Sequence, residues 1–247
     1  MTANSHISFH RWLIFFGIIL FALYVAHHHG FFVTLLSTDQ SYLSSAILII
    51  FVGASLHAGW RAHVLGQETD QALKLASAAR NKVPLFTLAN DQVMVNGADA
   101  STSLAHEHLG FMAEKARHQK QVHAQDLLLD RLENTINRGH ESGWFIADLM
   151  IRLGLLGTVV GFILMLGSLS SIENVDIHAI QQLLTNMSSG MQTALYTTFT
   201  GLSAGILLSF QYQLLDQGAD RLLAEIIELS EVHAAQHIGS CIDMALG

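Results

Sequence analysis

Residues 153–169 read LGLLGTVVGFILMLGSL, and residues 191–210 read MQTALYTTFTGLSAGILLSF. Neither stretch contains a charged residue, a histidine or a proline, and each has the length of a bilayer-crossing helix, about 17–25 residues. Both depart from a plain apolar span in the same way. Gly157 and Gly161 in the first, and Gly201 and Gly205 in the second, are G-x-x-x-G pairs, the spacing that lets membrane helices approach closely. At about 3.6 residues per turn, Gly154, Thr158, Gly161 and Met165 share one face, and Ala194, Thr198, Gly201 and Gly205 share another. A small-residue face with a hydroxyl in its middle packs against a second helix and still offers a polar atom. The alternative is packing alone, with each hydroxyl bonded back to its own helix.

Outward from these stretches lie two further apolar segments. Tyr42–Trp60 is one. The other opens at Trp12 and runs uncharged to Ala26. Alone it would cover only about 22 Å, so it is expected to continue through His27–His29 into Phe31–Leu36. The composition agrees: 51% of the 247 residues are hydrophobic and 13% charged, half the usual charge of a soluble domain. The expected fold is an all-α polytopic membrane protein with four transmembrane helices and helical cytoplasmic extensions. Its expected segments are 1–62 (the N-terminal helix pair), 63–143 (a cytoplasmic helical domain), 144–211 (the third and fourth spans) and 212–247 (a cytoplasmic C-terminal helix).

Charge sets the orientation. The 27–42 and 170–184 loops hold no Lys or Arg, whereas Arg61, Lys74, Arg80, Lys82, Lys115, Arg117, Lys120, Arg131 and Arg138 all lie between the second and third spans. The positive-inside rule therefore places both termini and 61–143 in the cytoplasm. Within that region, Gln67–Lys82 extends the second span as helix until Pro84, Val83–Val95 includes short extended pieces, and Asn96–Ser103 is a loop. Leu104–Arg138 returns to helix on Leu109, Met112, Leu127, Leu128 and Leu132. After the fourth span, Leu215, Leu222, Ile226 and Leu229 recur at helical spacing.

The net charge of -8 leaves no basic footprint, so no nucleic acid is expected as partner. There is no phosphate-binding loop, dinucleotide fingerprint, H-E-x-x-H or C-x-x-C, and no convergent constellation of an enzyme. No cofactor is expected. The fifteen histidines include the His27–His29 run and the His233/His237 pair, but neither comes with the three or four ligands a zinc site needs, so no metal is expected. Asp148 and Arg152 stand four apart at the entrance of the third span, in the favourable order for a helix ion pair. They are read either as an interfacial pair reaching to water or as a pair at the cytoplasmic entrance of a pathway.

IRLGLLGTVVGF, then a short acidic outer loop, then SSGMQTALYTTFTGLSAGILLSFQYQLLDQGADRL, together resemble the MotA/TolQ/ExbB proton-channel family over about residues 144–230. The resemblance implies a bacterial inner-membrane subunit of an ion-driven motor. It implies a homo-oligomer, a pentamer, around a dimer of a single-span MotB/TolR/ExbD-like partner whose membrane aspartate carries the ion. Thr158 and Thr198 match the pore threonines facing that aspartate, and Gly157, Gly161 and Gly201 match close-packing glycines. The fourth span departs from the TolQ and ExbB pattern after Gly205, where Ile206-Leu207 replaces a common proline. The residues alone leave a second reading open, a non-conducting oligomeric scaffold or signalling protein in lipid.

Overall fold

The computed structural model describes residues 7–81, 86–89, 92–95, 103–119, 126–167 and 177–234. Its elements are α1 (Ile7–His28), α2 (Phe31–Thr38), α3 (Leu43–Arg80), β1 (Phe86–Ala89), β2 (Gln92–Val95), α4 (Leu104–Gln119), α5 (Asp126–Gly167) and α6 (Ile177–Glu228), closed by a π-helical turn at Leu229–Ala234. Four of the helices are long and apolar enough to cross a membrane. The protein is an all-α polytopic membrane protein whose helical architecture carries one small β-hairpin.

The first span differs from expectation. It begins at Ile7, takes in His27 and ends at His28 instead of running on into Phe31–Leu36. Its 22 residues give about 33 Å, so the missing length comes from upstream of Trp12. Gly30, with φ of 72°, takes the left-handed conformation that an L side chain resists, and it turns the chain into α2. The expected outer loop thus contains a helix of its own. The fourth helix also starts earlier than Met191, at Ile177. By contrast, α3 runs unbroken from the second span to Arg80, as the sequence suggests, whereas the helix expected over Leu104–Arg138 is divided between α4, which reaches Gln119, and α5, which runs unbroken from Asp126 into the third span. The 96–102 loop, the 168–176 stretch that holds the acidic outer loop, and His237 lie outside the described residues.

The described chain divides into two compact units. One comprises Leu13–Gly59 and Glu141–Gln213. In it, the Phe31 ring of α2 meets Tyr196 and Phe199 of α6 edge-on, with centroids 5.9 and 5.6 Å away. The buried Asp39 starts α3 by accepting the Ser41 and Ser44 backbone N–H groups and the Ser41 hydroxyl. Deeper in, Gln211 donates to Ser55 at 2.8 Å, and the fully buried Tyr212 has its hydroxyl 2.9 Å from His57 Nδ1. The Tyr212 ring packs directly on Gly143, where a Cβ would collide with the ring atoms. Gly143→Ala should therefore cost about 1–3 kcal/mol by overpacking, while Tyr212→Phe loses one hydrogen bond, about 1 kcal/mol. Thermal unfolding in detergent should rank the two in that order.

The second unit comprises Met1–Trp12, Trp60–His140 and Leu214–Gly247. Its core joins Leu75 of α3, Leu109 and Met112 of α4, Leu132 and Ile136 of α5, and Leu222 and Ile226 of α6. The hairpin contributes Phe86 and Val95, which face each other across the ladder and are both buried. Leu215, Leu222, Ile226 and Leu229 are all buried, as their spacing suggests. Leu127 differs: 78% exposed on the first turn of α5, it leaves the core to Leu132. His140, also buried, holds Nδ1 3.0 Å from Asp216.

Candidate functional site: the α5–α6 glycine seam

Glycine inside a water-exposed helix costs about 1 kcal/mol against alanine, so a glycine-rich helix needs a reason of packing. In α5 and α6 the reason is direct backbone contact. A Cβ on Gly154 would stand 3.0 Å from Gly201 Cα and 3.2 Å from the Thr197 carbonyl oxygen. One on Gly201 would stand 2.6 Å from Gly154 Cα and 2.7 Å from the Met150 carbonyl oxygen. One on Gly161 would meet Ala194 N and Gly190 O, both at 2.6 Å, and one on Gly205 would meet Ile151 and the Ala147 carbonyl. The order of these contacts, rising along α5 and falling along α6, makes the pair antiparallel. Gly154, Gly157, Gly161, Ala194, Gly201 and Gly205 all lie on this seam.

Residues that the sequence did not single out complete it. Gly190 lies one turn before Ala194, and its Cβ position is 2.8 Å from the Gly161 carbonyl oxygen and from Met165 N. Its signal was present as a small residue four before Ala194. Thr197 is fully buried against Gly157, and its hydroxyl donates to the carbonyls of Thr193 and Ala194. Thr193, also fully buried, donates to the Thr38 carbonyl at the end of α2, at 3.0 Å. Sequence spacing cannot separate Thr197 from its neighbour Thr198, because the choice depends on how far each helix is rotated about its axis.

Thr198 sits at the edge of the seam. Its hydroxyl lies 3.1 Å from the Gly154 carbonyl oxygen across the seam and 3.0 Å from the Ala194 carbonyl oxygen on its own helix. Thr158 is half-buried and donates within its own helix, to the Leu155 carbonyl. At about 100° per residue, Thr158 lies about 40° around α5 from Gly154, and Thr198 lies about 40° around α6 from Ala194. In an antiparallel pair, equal offsets fall on the same side of the contact. Thr158 and Thr198 therefore edge one side of the seam, within about a turn of each other in depth. Each spends its proton on a carbonyl and keeps oxygen lone pairs for accepting.

Beyond the threonines the surface is apolar and exposed, with Leu155, Val159 and Phe162 on α5 and Met191, Leu195 and Leu202 on α6. Asp148 and Arg152 form an ion pair of 2.6 Å, 52% and 73% exposed. They point about 120–160° away from Gly154, toward the outward face rather than the seam. Exposed pairs of this kind contribute about 0.3–0.5 kcal/mol, so Asp148→Asn should leave the unfolding temperature within about 2 °C of the parent. Among the described residues, no three His, Cys, Asp or Glu side chains converge on a point where a metal ion would sit.

No curated protein and no solved structure matches the chain. A family model does, over residues 92–228, a stretch that holds the whole α5–α6 seam and more than half of the chain. On that match, the chain belongs to the MotA/TolQ/ExbB proton channel family.

Proposed function

We propose that this protein is the channel subunit of a motor driven by a proton or sodium gradient in a bacterial inner membrane. Several copies, five by family resemblance, surround a dimer of a single-span partner. An aspartate on the partner's membrane helix carries the ion past the side of the seam edged by Thr158 and Thr198. Both termini and the 61–143 region lie in the cytoplasm, and 144–211 forms the channel core. The 1–62, 63–143 and 212–247 segments serve respectively as membrane support, cytoplasmic domain and C-terminal helix.

One observation carries the reading. From Leu153 to Gly167 and from Ile177 to Leu215, α5 and α6 hold no Asp, Glu, Lys or Arg, yet they place two hydroxyl oxygens on one side of a tightly closed seam. An intramembrane ion relay needs a titrating group, and a partner carboxylate supplies it. A protonated aspartic acid, or the water around a sodium ion, donates hydrogen bonds, and threonine oxygens already committed as donors are suited to accept them. Asp148 and Arg152, at the start of the span, are placed to shape the field at the cytoplasmic entrance.

The scaffold reading draws on a specific observation too, since both hydroxyls are satisfied by backbone carbonyls without any partner. Native mass measurement of the complex extracted from its own membrane separates the two. The channel reading expects several copies of this chain with a smaller second chain that has one apolar span and an aspartate within it. A homo-oligomer with no second chain, and no gradient-dependent activity, would establish the scaffold instead.

A further inference from the structure

The start of α4 gathers a buried serine and two buried histidines. Ser103, buried, is its cap, and three residues on, where a capping box carries Glu or Gln, stands His106. The Ser103 hydroxyl lies 2.7 Å from His106 Nδ1 and 3.4 Å from the His106 backbone N–H. The first backbone N–H of the helix, Leu104, donates to Glu68 of α3 at 2.8 Å, a contact between residues 36 apart in sequence. His108, one turn on from Leu104, is 4% exposed, and its Nε2 has no hydrogen-bond partner. His106 is equally buried.

We propose that this turn is a proton-operated latch. Neutral His106 and His108 let the first turn of α4 close on Glu68 and the core, and their protonation releases it. A neutral ring leaves one nitrogen free to accept or to go unpaired at modest cost. An imidazolium has two N–H donors and a charge, and here it would be buried at the positive end of a helix dipole. The charged groups facing the turn do not rescue it. Glu68 of α3 is already engaged by Leu104 N–H. Glu107 on α4 is paired with Arg131 of α5 at 3.3 Å. Arg131, a cation, also stands over the Phe111 ring at 4.6 Å. From the hairpin, the described side chain of β2 is the apolar Val95.

The direction of the response follows from burial. Desolvation pushes both histidines below their ordinary value of 6.5, so their stabilising contribution is complete above pH 6.5 and is lost as pH falls from there toward their folded values. Glu68 acts in the opposite sense. Burial raises it above 4.5, outweighing the Leu104 hydrogen bond, so acid favours its folded form and tempers the loss at the lowest pH. With two histidines against one carboxyl, the net effect between about pH 6.5 and 5.5 is release. The latch stands on this geometry alone. That the triggering protons are those the channel delivers rests on the cytoplasmic placement of 61–143 proposed above.

Hydrogen exchange on the full chain in detergent tests the latch and does not depend on orientation. The amide protection factors of 105–112 should fall by up to about tenfold per pH unit for each histidine between about pH 6.5 and 5.5, while the α6 amides around Leu222 hold steady and report that the fold is intact. His106→Gln restores an ordinary capping box and should halve the slope, and His106→Gln with His108→Leu should abolish it. Protection that is flat in the parent, or a slope that survives in the double variant, overturns the proposal. So does a slope removed by Glu68→Gln alone. Sided labelling of a cysteine introduced at Ala113 tests the membrane orientation separately, so the two can fail independently.

Discussion

Gly201→Val abolishes the closed α5–α6 pair. Gly201 has no room for a Cβ, because the nearest atoms are backbone: Gly154 Cα at 2.6 Å and the Met150 carbonyl oxygen at 2.7 Å. A flexible side chain could move aside, but two helix backbones can only separate. Separation would break the Thr198 contact to Gly154 and open the packing at Gly157, Gly161 and Gly205 together. The cost should exceed the about 1–3 kcal/mol of ordinary overpacking, because membrane helices held by close contact have no hydrophobic drive to fall back on. Detergent-extracted protein should lose its cooperative unfolding transition and, in gel filtration, the proposed oligomer. Gly53→Ala is the internal control. A Cβ at Gly53 of α3 meets nothing within 4 Å, so that substitution should be neutral or slightly stabilising. Equal behaviour of the two variants would show that the seam is not what holds α5 to α6.

Replacing Thr158 and Thr198 together by alanine separates function from stability. Thr198 shares its one hydroxyl proton between two carbonyls, and Thr158 bonds within its own helix, so the structural loss should be about 1 kcal/mol. The oligomer should survive. Gradient-driven ion flux, measured with the proposed partner present, should fall at least about tenfold, the effect of about 1.4 kcal/mol on the proposed path of the ion. Serine at both positions should restore most of it, since the oxygen returns while the methyl does not. Full flux in the alanine pair would remove the role assigned to these hydroxyls and favour the scaffold reading.

Much of this was legible in the sequence for simple reasons. A long apolar run can only be a membrane helix, because lipid leaves the backbone no partner but itself. The small-residue face of α5 was readable because glycine at four-residue spacing has no other profit in a helix. Buried positions of the C-terminal helix, such as Leu222 and Ile226, followed from periodicity. Thr197 and Gly190 were not selected, since one chain's spacing cannot say which hydroxyl turns into the seam when neighbours Thr197 and Thr198 differ by a rotation of about 100°. The early start of α1 and the break at Gly30 were missed for a different reason. A run of histidines after Ala26 carries no strong propensity either way, and the left-handed turn at Gly30 is a choice of backbone.

A helical membrane protein with four spans, the last two carrying small residues and hydroxyls in place of charge, is legible from the order of residues, as is the family in those two. These are properties of composition and period, which survive without knowledge of any contact. The remainder comes from how the helices pack. That packing paired α5 and α6 as antiparallel helices closed on glycine backbones, set Thr158 and Thr198 on one side, and turned Asp148 and Arg152 outward. It also brought Glu68 across 36 residues to the Leu104 backbone N–H at the start of α4. Those outcomes depend on which atoms meet at close range, and that is fixed by the rotation and depth at which packed helices lock together.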